Sequence, residues 1–301
     1  MITAGFPPGR SKGSRKAHRK CADVMDTLEL TATQKQRLRE LGGEEFVHLT
    51  FLGVNEREKK FGDIQLALER KNKEELLRLL RSTRKPAIRQ IEREMAEALA
   101  GAGFTEVVTP SIISRDFIKR MDITEAQNLW RQIFWLDERR CLRPMLAPNL
   151  YHVMRELRRV TKPVSIFEVG SCFRKESKGR EHAEEFTMLN AVELAPKMDA
   201  NERLKEMIDV SLQAIGMAEY HLEEVKSEVY GETIDVLVDG VEVASAATGP
   251  HRLDRNWQVV EPWAGVGFGL ERLAMVRKGC KILGHVSRSL SHLDGSSLSV
   301  M

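Results

Sequence analysis

Residues 173–190 read FRKESKGREHAEEFTMLN. An apolar run, SIFEVGSCF (165–173), leads into this stretch, and EFTMLNAVEL (185–194) leads out of it. The two runs read as strands joined by a hairpin loop. Such loops are usually short and made of small residues, but this one carries Arg174, Lys175, Glu176, Lys178, Arg180, Glu181, His182, Glu184 and Glu185. Taken alone, a charge run of both signs is a solvated loop. Arg174 and Glu176, at the very end of the first strand, raise a second reading, in which the charges are placed to meet a ligand.

The chain around it has 301 residues, 42% hydrophobic and 30% charged. That composition predicts a globular protein with one large domain and room for a small appendage. The length allows a substantial buried core. Net charge is +3, but six of the basic residues (Arg10, Lys12, Arg15, Lys16, Arg19, Lys20) fall within the first twenty positions, which hold no acid. The remainder carries 41 basic against 44 acidic residues. Residues 1–21 are expected to be a basic tail, disordered alone. It is either an arm that meets phosphates with salt-sensitive affinity or a solubilising extension. No apolar stretch has the length of a membrane helix, and the first twenty residues lack the apolar run of a secretory leader. Cys21, Cys141, Cys172 and Cys280 show no C-x-x-C spacing. They are expected to be reduced thiols of a cytoplasmic protein, without structural zinc.

Along the chain, Thr31 or Thr33 can cap a short helix that Gly42 ends. A long helix rich in Leu, Glu, Lys and Arg follows over EREKKFGDIQLALERKNKEELLRLLRSTRK, with an apolar stripe at Leu76, Leu77, Leu79 and Leu80 and a basic opposite face. Residues 22–84 therefore form a helical N-terminal region. Pro86 opens the next helix, which Gly101 and Gly103 close. TEVVTPSII is a strand broken by Pro110. From about residue 130 strands dominate. QIFWLD and CLRPM flank a charged turn, and APNLYHVMRELRRV and NERLKEMIDVSLQAIGM are helices. ETIDVLV and VEVASAAT are joined by Asp239-Gly240, a strong hairpin signal. WAGVGFGLERLAMV runs from a glycine-rich strand into a helix. Helices with an antiparallel sheet and no βαβ alternation predict an α+β fold over residues 85–301.

Three segments carry chemistry: GFTEVVTP (103–110), the hairpin FRKE…EF (173–186) and GVGFGLERL (265–273). The glycines of the third invite comparison with a dinucleotide loop, but such a loop opens a βαβ unit and needs an acid about 20 residues on. Here the glycines lie near the C-terminus, outside any parallel-sheet pattern. In their order, the three segments resemble the signature motifs of class II aminoacyl-tRNA synthetases. That resemblance implies an antiparallel sheet flanked by helices, a dimer interface built by the first motif, and ATP bound by the second and third. The chemistry it implies is attack of an amino-acid carboxylate on the α-phosphate of ATP, then acyl transfer to tRNA.

The residue types suit that chemistry. An anionic pentavalent transition state needs positive charge aimed at the α-phosphate, and Arg174 can supply a bidentate clamp. Arg272 can meet the γ-phosphate of a bent ATP. Gly265, Gly267 and Gly269 leave adenine against bare backbone, and Phe186 can stack on its other face. Glu176 and His182 can reach adenine or the acceptor end of tRNA. Glu242 and Ser245 are candidate oxygen ligands for Mg2+. On an ideal strand their i, i+3 spacing puts them on opposite faces, so a shared metal requires a local irregularity or separate roles.

CLRPMLAPNLY, IFEVGSCFRKES, EHAEEFTMLN, VYGETIDV and PWAGVGFGLERL are similar, more narrowly, to catalytic subunits of the pyrrolysyl-tRNA synthetase family, and SLSHLDGSSL resembles the C-terminal loop of the bacterial forms. This resemblance implies ATP-dependent charging of tRNA(Pyl) with pyrrolysine by a homodimer, with a separate N-terminal tRNA-binding subunit and tRNA contacts from residues 22–84. It implies that Asn190 hydrogen-bonds the amide carbonyl of the substrate side chain. Ala147, Leu150, Tyr151, Met154, Val192, Ala247 and Trp263 would line a deep apolar pocket; the plain alternative for the apolar ones is core packing. Three positions depart from the family pattern: Ala191 replaces a large aliphatic residue, His292 stands where a capping Tyr is usual, and Ala274 replaces a Leu. These predict a shifted substrate preference, with Ala191 and His292 counted in the amino-acid site. Two other readings remain: a paralogue with another amino acid or acceptor, and a non-catalytic binding protein, against which the retained ATP residues argue.

Overall fold

The computed structural model describes residues 27–83, 85–175 and 183–299. Glu176, His182, Cys21 and the basic tail lie outside the described residues.

Helix α1 (Ala32–Glu40) is capped by Thr31, not Thr33. The Thr31 hydroxyl accepts from Gln34 N at 3.2 Å while Gln34 Oε1 accepts from Thr31 N at 3.0 Å, a reciprocal capping box. Gly42, at φ 81°, turns the chain after it. Helix α2 (Val54–Arg81) is 28 residues long and buries little of itself. The two helices share a small core of Leu30, Leu38, Leu41, Val47, Phe51 and Leu68.

The rest is organised on a seven-stranded sheet. Its strands are β1 (Thr105–Glu106), β2 (Val164–Phe173), β3 (Glu185–Leu194), β4 (His221–Ser227), β5 (Gly231–Val238), β6 (Val241–Gly249) and β7 (Trp263–Gly269). In space the order is β1-β2-β3-β7-β6-β5-β4. Every pairing is antiparallel except that of β1 with β2. β2 and β3 are the predicted hairpin, paired over ten residues from Val164–Leu194 to Phe173–Glu185. Asp239 (φ 50°) and Gly240 (φ 76°) both adopt the left-handed conformation that a two-residue turn between β5 and β6 requires.

Side-chain alternation divides the core in two. Helices α3 (Ala87–Gly101), α7 (Ala200–Ala214) and α8 (Leu270–Lys278) cover one face, where Ile91, Met95, Leu99, Met207, Leu212 and Leu273 pack on Leu189, Ala191, Val266 and Phe268. Helices α4 (Arg115–Arg120), α5 (Asn128–Gln132) and α6 (Ala147–Leu157) lie with the other face, whose core holds Leu150, Tyr151, Met154, Val192, Trp257 and Trp263. The functional cavities open on this second face. Here the glycines of β7 alternate with residues buried on the helical side, Val266 and Phe268, so the sheet surface between them is bare backbone.

Candidate active site

Two cavities meet on the open face. The larger, of about 380 Å³, is lined by Ala147, Leu150, Tyr151 and Met154 of α6, by Met188 and Val192 of β3, and by Ala247, Trp263, Gly265 and Gly267. The smaller, of about 190 Å³, is lined by Arg174, Phe186, Glu242, Ser245, Gly269, Glu271 and Arg272. Arg174, Met188, Ser245 and Gly267 belong to both walls. A mainly apolar chamber thus adjoins a charged one, with an arginine at the join.

Arg174 sits at the end of β2. Its Nε donates to Pro144 O at 2.9 Å, and its guanidinium carbon lies 5.3 Å from the centroid of the Phe186 ring. Phe186 is on β3, paired with Cys172, so the hairpin register brings ring and cation together. Across the smaller cavity, Arg272 donates to Glu242 O at 2.9 Å and pairs with Glu242 Oε1 at 3.0 Å. Glu271, in the first turn of α8, is buried. Its two oxygens accept from Thr187 N at 2.8 and 2.9 Å, and Arg288 stands 3.4 Å away. Burial raises its pKa, while the Thr187 amide and Arg288 oppose that rise.

The register of β6 on β5 shifts between Glu242 and Ala244. This bulge supplies the irregularity that the i, i+3 spacing requires: Glu242 and Ser245 both line the smaller cavity. Asp235 of β5, paired with Ser245, lies behind them outside the cavity lining; burial first, then the nearby Glu242 charge, raises its pKa. Glu242 and Ser245 are hard oxygen donors of the kind Mg2+ takes, so the residues fit that ion.

In the larger cavity, Tyr151 donates its hydroxyl to Asp254 at 2.6 Å and Trp263 Nε1 donates to the other oxygen of Asp254 at 2.8 Å. Burial, with Tyr230 and Asp254 nearby, pushes the Tyr151 phenol well above its ordinary pKa, so it is a neutral donor. Asn190 shares the face of its neighbours Met188 and Val192, and among the described residues its buried Oδ1 has no hydrogen-bond partner. It packs over Gly267, where a Cβ would stand 2.9 Å from Asn190 Nδ2 and 3.0 Å from Oδ1. That glycine leaves the space the amide occupies. Asn190→Ala is expected to raise KM for the amino acid about tenfold, the size of one buried hydrogen bond, with KM for ATP unchanged; initial-rate exchange assays with each substrate varied check this.

Asn190 lies on the cavity's side of β3 but is not itself among the lining residues, and two further expected members of the amino-acid site stand elsewhere. Ala191 is buried in the helix-side core with Leu189, because adjacent residues of a strand point to opposite faces. His292 belongs to a two-strand pairing, His292–Leu293 with Ser296–Ser297, that docks on α2 through Ser296 Oγ to Glu75 (2.8 Å) and Ser297 N to Asn72 Oδ1 (3.2 Å). Its ring stacks on His285 at 4.0 Å. Ala274 is likewise in the helix-side core. None of the three departures from the family pattern lines the larger cavity. A third aromatic ring joins Tyr151 and Trp263 in that lining: Tyr230, which enters from the β4–β5 turn and stands 5.8 Å from Trp263. Its signal in the sequence is the tyrosine that precedes Gly231 in VYGETIDV.

Comparison with known proteins agrees with this geometry. The family profile of the phenylalanyl tRNA synthetase beta chain CLM domain matches residues 78–251. A threonine--tRNA ligase from Nitrosomonas europaea is 31% identical over 107 residues, which are 31% of this chain and 15% of that ligase, so the chain spans a small part of the ligase's length. The crystal structure of pyrrolysyl-tRNA synthetase from Desulfitobacterium hafniense superposes with a TM-score of 0.84 at 44% identity, covering 90% of this chain and 98% of that one. A second structure of that organism's pyrrolysyl tRNA synthetase gives a TM-score of 0.82 at the same identity and coverage.

An antiparallel sheet with an arginine-bearing hairpin and a glycine-rich strand leading into a helix, matched by the synthetase profile over more than half the chain, makes this a class II aminoacyl-tRNA synthetase core of the profile's family. The identity to the solved domains narrows it further. The chain belongs to the pyrrolysyl-tRNA synthetase family.

Proposed function

We propose that this chain activates pyrrolysine, or a related large lysine derivative, with ATP and transfers the acyl group to tRNA(Pyl). The observation that carries the reading is the shared wall: an apolar chamber of about 380 Å³ and a charged one of about 190 Å³ meet at Arg174, Met188, Ser245 and Gly267. The amino-acid side chain takes the first chamber and ATP the second. The carboxylate then reaches the α-phosphate at the join, beside Arg174. Charge accumulates on the α-phosphate as the carboxylate oxygen bonds to phosphorus and pyrophosphate departs, and Arg174 stabilises it. Arg272, held by Glu242, faces the phosphate tail, and Phe186 and the bare strand at Gly267 and Gly269 sandwich the adenine. Glu176 and His182 keep their proposed place at adenine or the acceptor end. Mg2+, held by Glu242 and Ser245, would neutralise charge on the phosphates. Asn190 reads the amide carbonyl of the substrate side chain.

Several features support the partners. Among the described residues no helix is long and apolar enough to cross a membrane, and we place the protein in the cytoplasm. Val108 and Ile112, on the segment after β1, are 88% and 49% exposed, an apolar edge suited to a second copy of the chain. The long, mostly exposed α2 suits tRNA contact, with the basic tail and a separate N-terminal subunit extending the surface.

The direct test is an amino-acid panel in ATP–pyrophosphate exchange, followed by charging of tRNA(Pyl). Exchange with pyrrolysine or an Nε-acylated lysine, and not with small amino acids, is the expected result. Exchange with another amino acid alone would replace the substrate; exchange with none would remove the activity.

A further inference from the structure

The walls of the larger cavity are held by a residue outside it. Asp254 lies in the 3-10 turn Arg252–Trp257, between β6 and β7, and is 1% exposed. Its Oδ1 accepts the Tyr151 hydroxyl at 2.6 Å, and its Oδ2 accepts Trp263 Nε1 at 2.8 Å and His251 N at 2.6 Å. All three are neutral donors. The two side-chain oxygens of Asp254 together accept from all three.

The two side chains it grips come from different parts of the fold. Tyr151 is on α6 and Trp263 opens β7, and their rings meet edge to face at 5.9 Å. The same turn presents Trp257, whose ring stacks on Tyr151 at 5.5 Å. Gly249 makes room on the other side, because a Cβ there would lie within 1.9 Å of Trp263 Nε1. The indole can therefore lie across the end of β6, with its N–H directed to Asp254. Both rings line the cavity and Asp254 does not.

We propose that Asp254 is a positioning residue for amino-acid selection: by accepting from the Tyr151 hydroxyl and the Trp263 indole at once, it fixes the two aromatic walls that set the width of the side-chain chamber. It acts only through those rings. The smaller cavity, which shares neither ring, keeps its shape without it. The proposal rests on the reading of the larger cavity as the amino-acid site.

Asp254→Ala and Asp254→Asn are compared with wild type in ATP–pyrophosphate exchange, using an Nε-acylated lysine. In the alanine variant both rings lose their acceptor, and KM for the amino acid is expected to rise at least tenfold with KM for ATP within twofold. In Asp254→Asn the amide oxygen serves Trp263 and His251 while the Tyr151 hydroxyl turns to accept from the new NH2, so KM for the amino acid is expected to rise two- to fivefold. An unchanged amino-acid KM in either folded variant overturns the proposal, and so does a parallel rise in both KM values. Should the alanine variant not fold, the asparagine variant decides by the same two criteria. Tryptophan emission gives a readout independent of substrate: acrylamide quenching is expected to increase in Asp254→Ala, where the indole N–H loses its acceptor, and to lose that increase in a Trp263→Phe background. Wild-type protein that gives no exchange counts against the proposed function, and the quenching comparison then decides the role of Asp254 alone.

Discussion

Arg174→Ala is expected to lower the rate of ATP–pyrophosphate exchange by roughly 10³-fold, the loss that follows removal of a charge aimed at a developing oxyanion in a closed site. Among the described residues Arg174 is the charged residue that lines both cavities, so under the proposed function its guanidinium stands where carboxylate and α-phosphate meet. Its Nε donates to Pro144 O and its guanidinium lies over the Phe186 ring, two contacts that fix the group at the join of the cavities. Arg174→Lys is expected to restore little, because an ammonium has no second donor fork and no planar face for the phenyl ring. Stability should change little, since the side chain sits at a strand end. The check is exchange kinetics beside thermal unfolding. A folded Arg174→Ala variant with a rate within tenfold of wild type would remove Arg174 from the chemistry.

The hairpin that carries Arg174 was legible in the sequence because both strands are long apolar runs and the charge between them is abrupt. The Asp239-Gly240 turn and the Thr31 cap were legible for a similar reason: each depends on a few adjacent side chains whose local geometry is nearly compulsory. The site was harder to read. The bulge at Val243 leaves no mark in VEVAS, since it arises from how β6 must pair with β5 and β7 together. It turns two residues of opposite expected facing into neighbours. Asp254 and Tyr151 are 103 positions apart, and only the folded chain brings them within 2.6 Å. The placement of Ala191 was recoverable. Asn190 and Ala191 are consecutive on a strand, so if one faces the cavity the other cannot. His292 fell to a different cause. Sequence resemblance assigned it to a capping loop, but serine hydrogen bonds to α2 draw its segment toward the N-terminal helices.

The seat of Arg174 is itself built on a buried ion pair, and Glu168→Ala is expected to destabilise the protein by about 3–5 kcal/mol, the range for breaking one partner of such a pair. Arg143 and Glu168 are 3% and 1% exposed and 2.7 Å apart. Glu168 also accepts from Thr109 N at 3.1 Å and Thr109 Oγ1 at 2.7 Å, and Arg143 donates to Ser171 O at 2.8 Å. Gly170 is required beneath it, because a Cβ there would lie 2.0 Å from Arg143 Nη2. Without Glu168 the guanidinium remains buried with only carbonyl and hydroxyl acceptors, and the Thr109 amide loses its partner. At about 2–4 °C per kcal/mol for a chain of this size, the melting temperature should fall by roughly 10 °C. The loss should also reach the chemistry. Phe173 N donates to Arg143 O at 2.9 Å, and the next carbonyl, that of Pro144, holds Arg174. KM for ATP is therefore expected to rise in Glu168→Ala at temperatures where the protein is still folded, and KM for the amino acid to rise less. Replacing both partners with apolar residues of similar volume, Arg143→Met with Glu168→Leu, should recover much of the stability, because no charge is then left buried alone. That double variant should recover less of the ATP affinity, because stability needs only a filled core while Arg174 needs the Pro144 carbonyl in place. Melting curves and ATP-dependent exchange on the three proteins separate the two effects; equal recovery of both would show that the pair supports Arg174 only by keeping the domain folded.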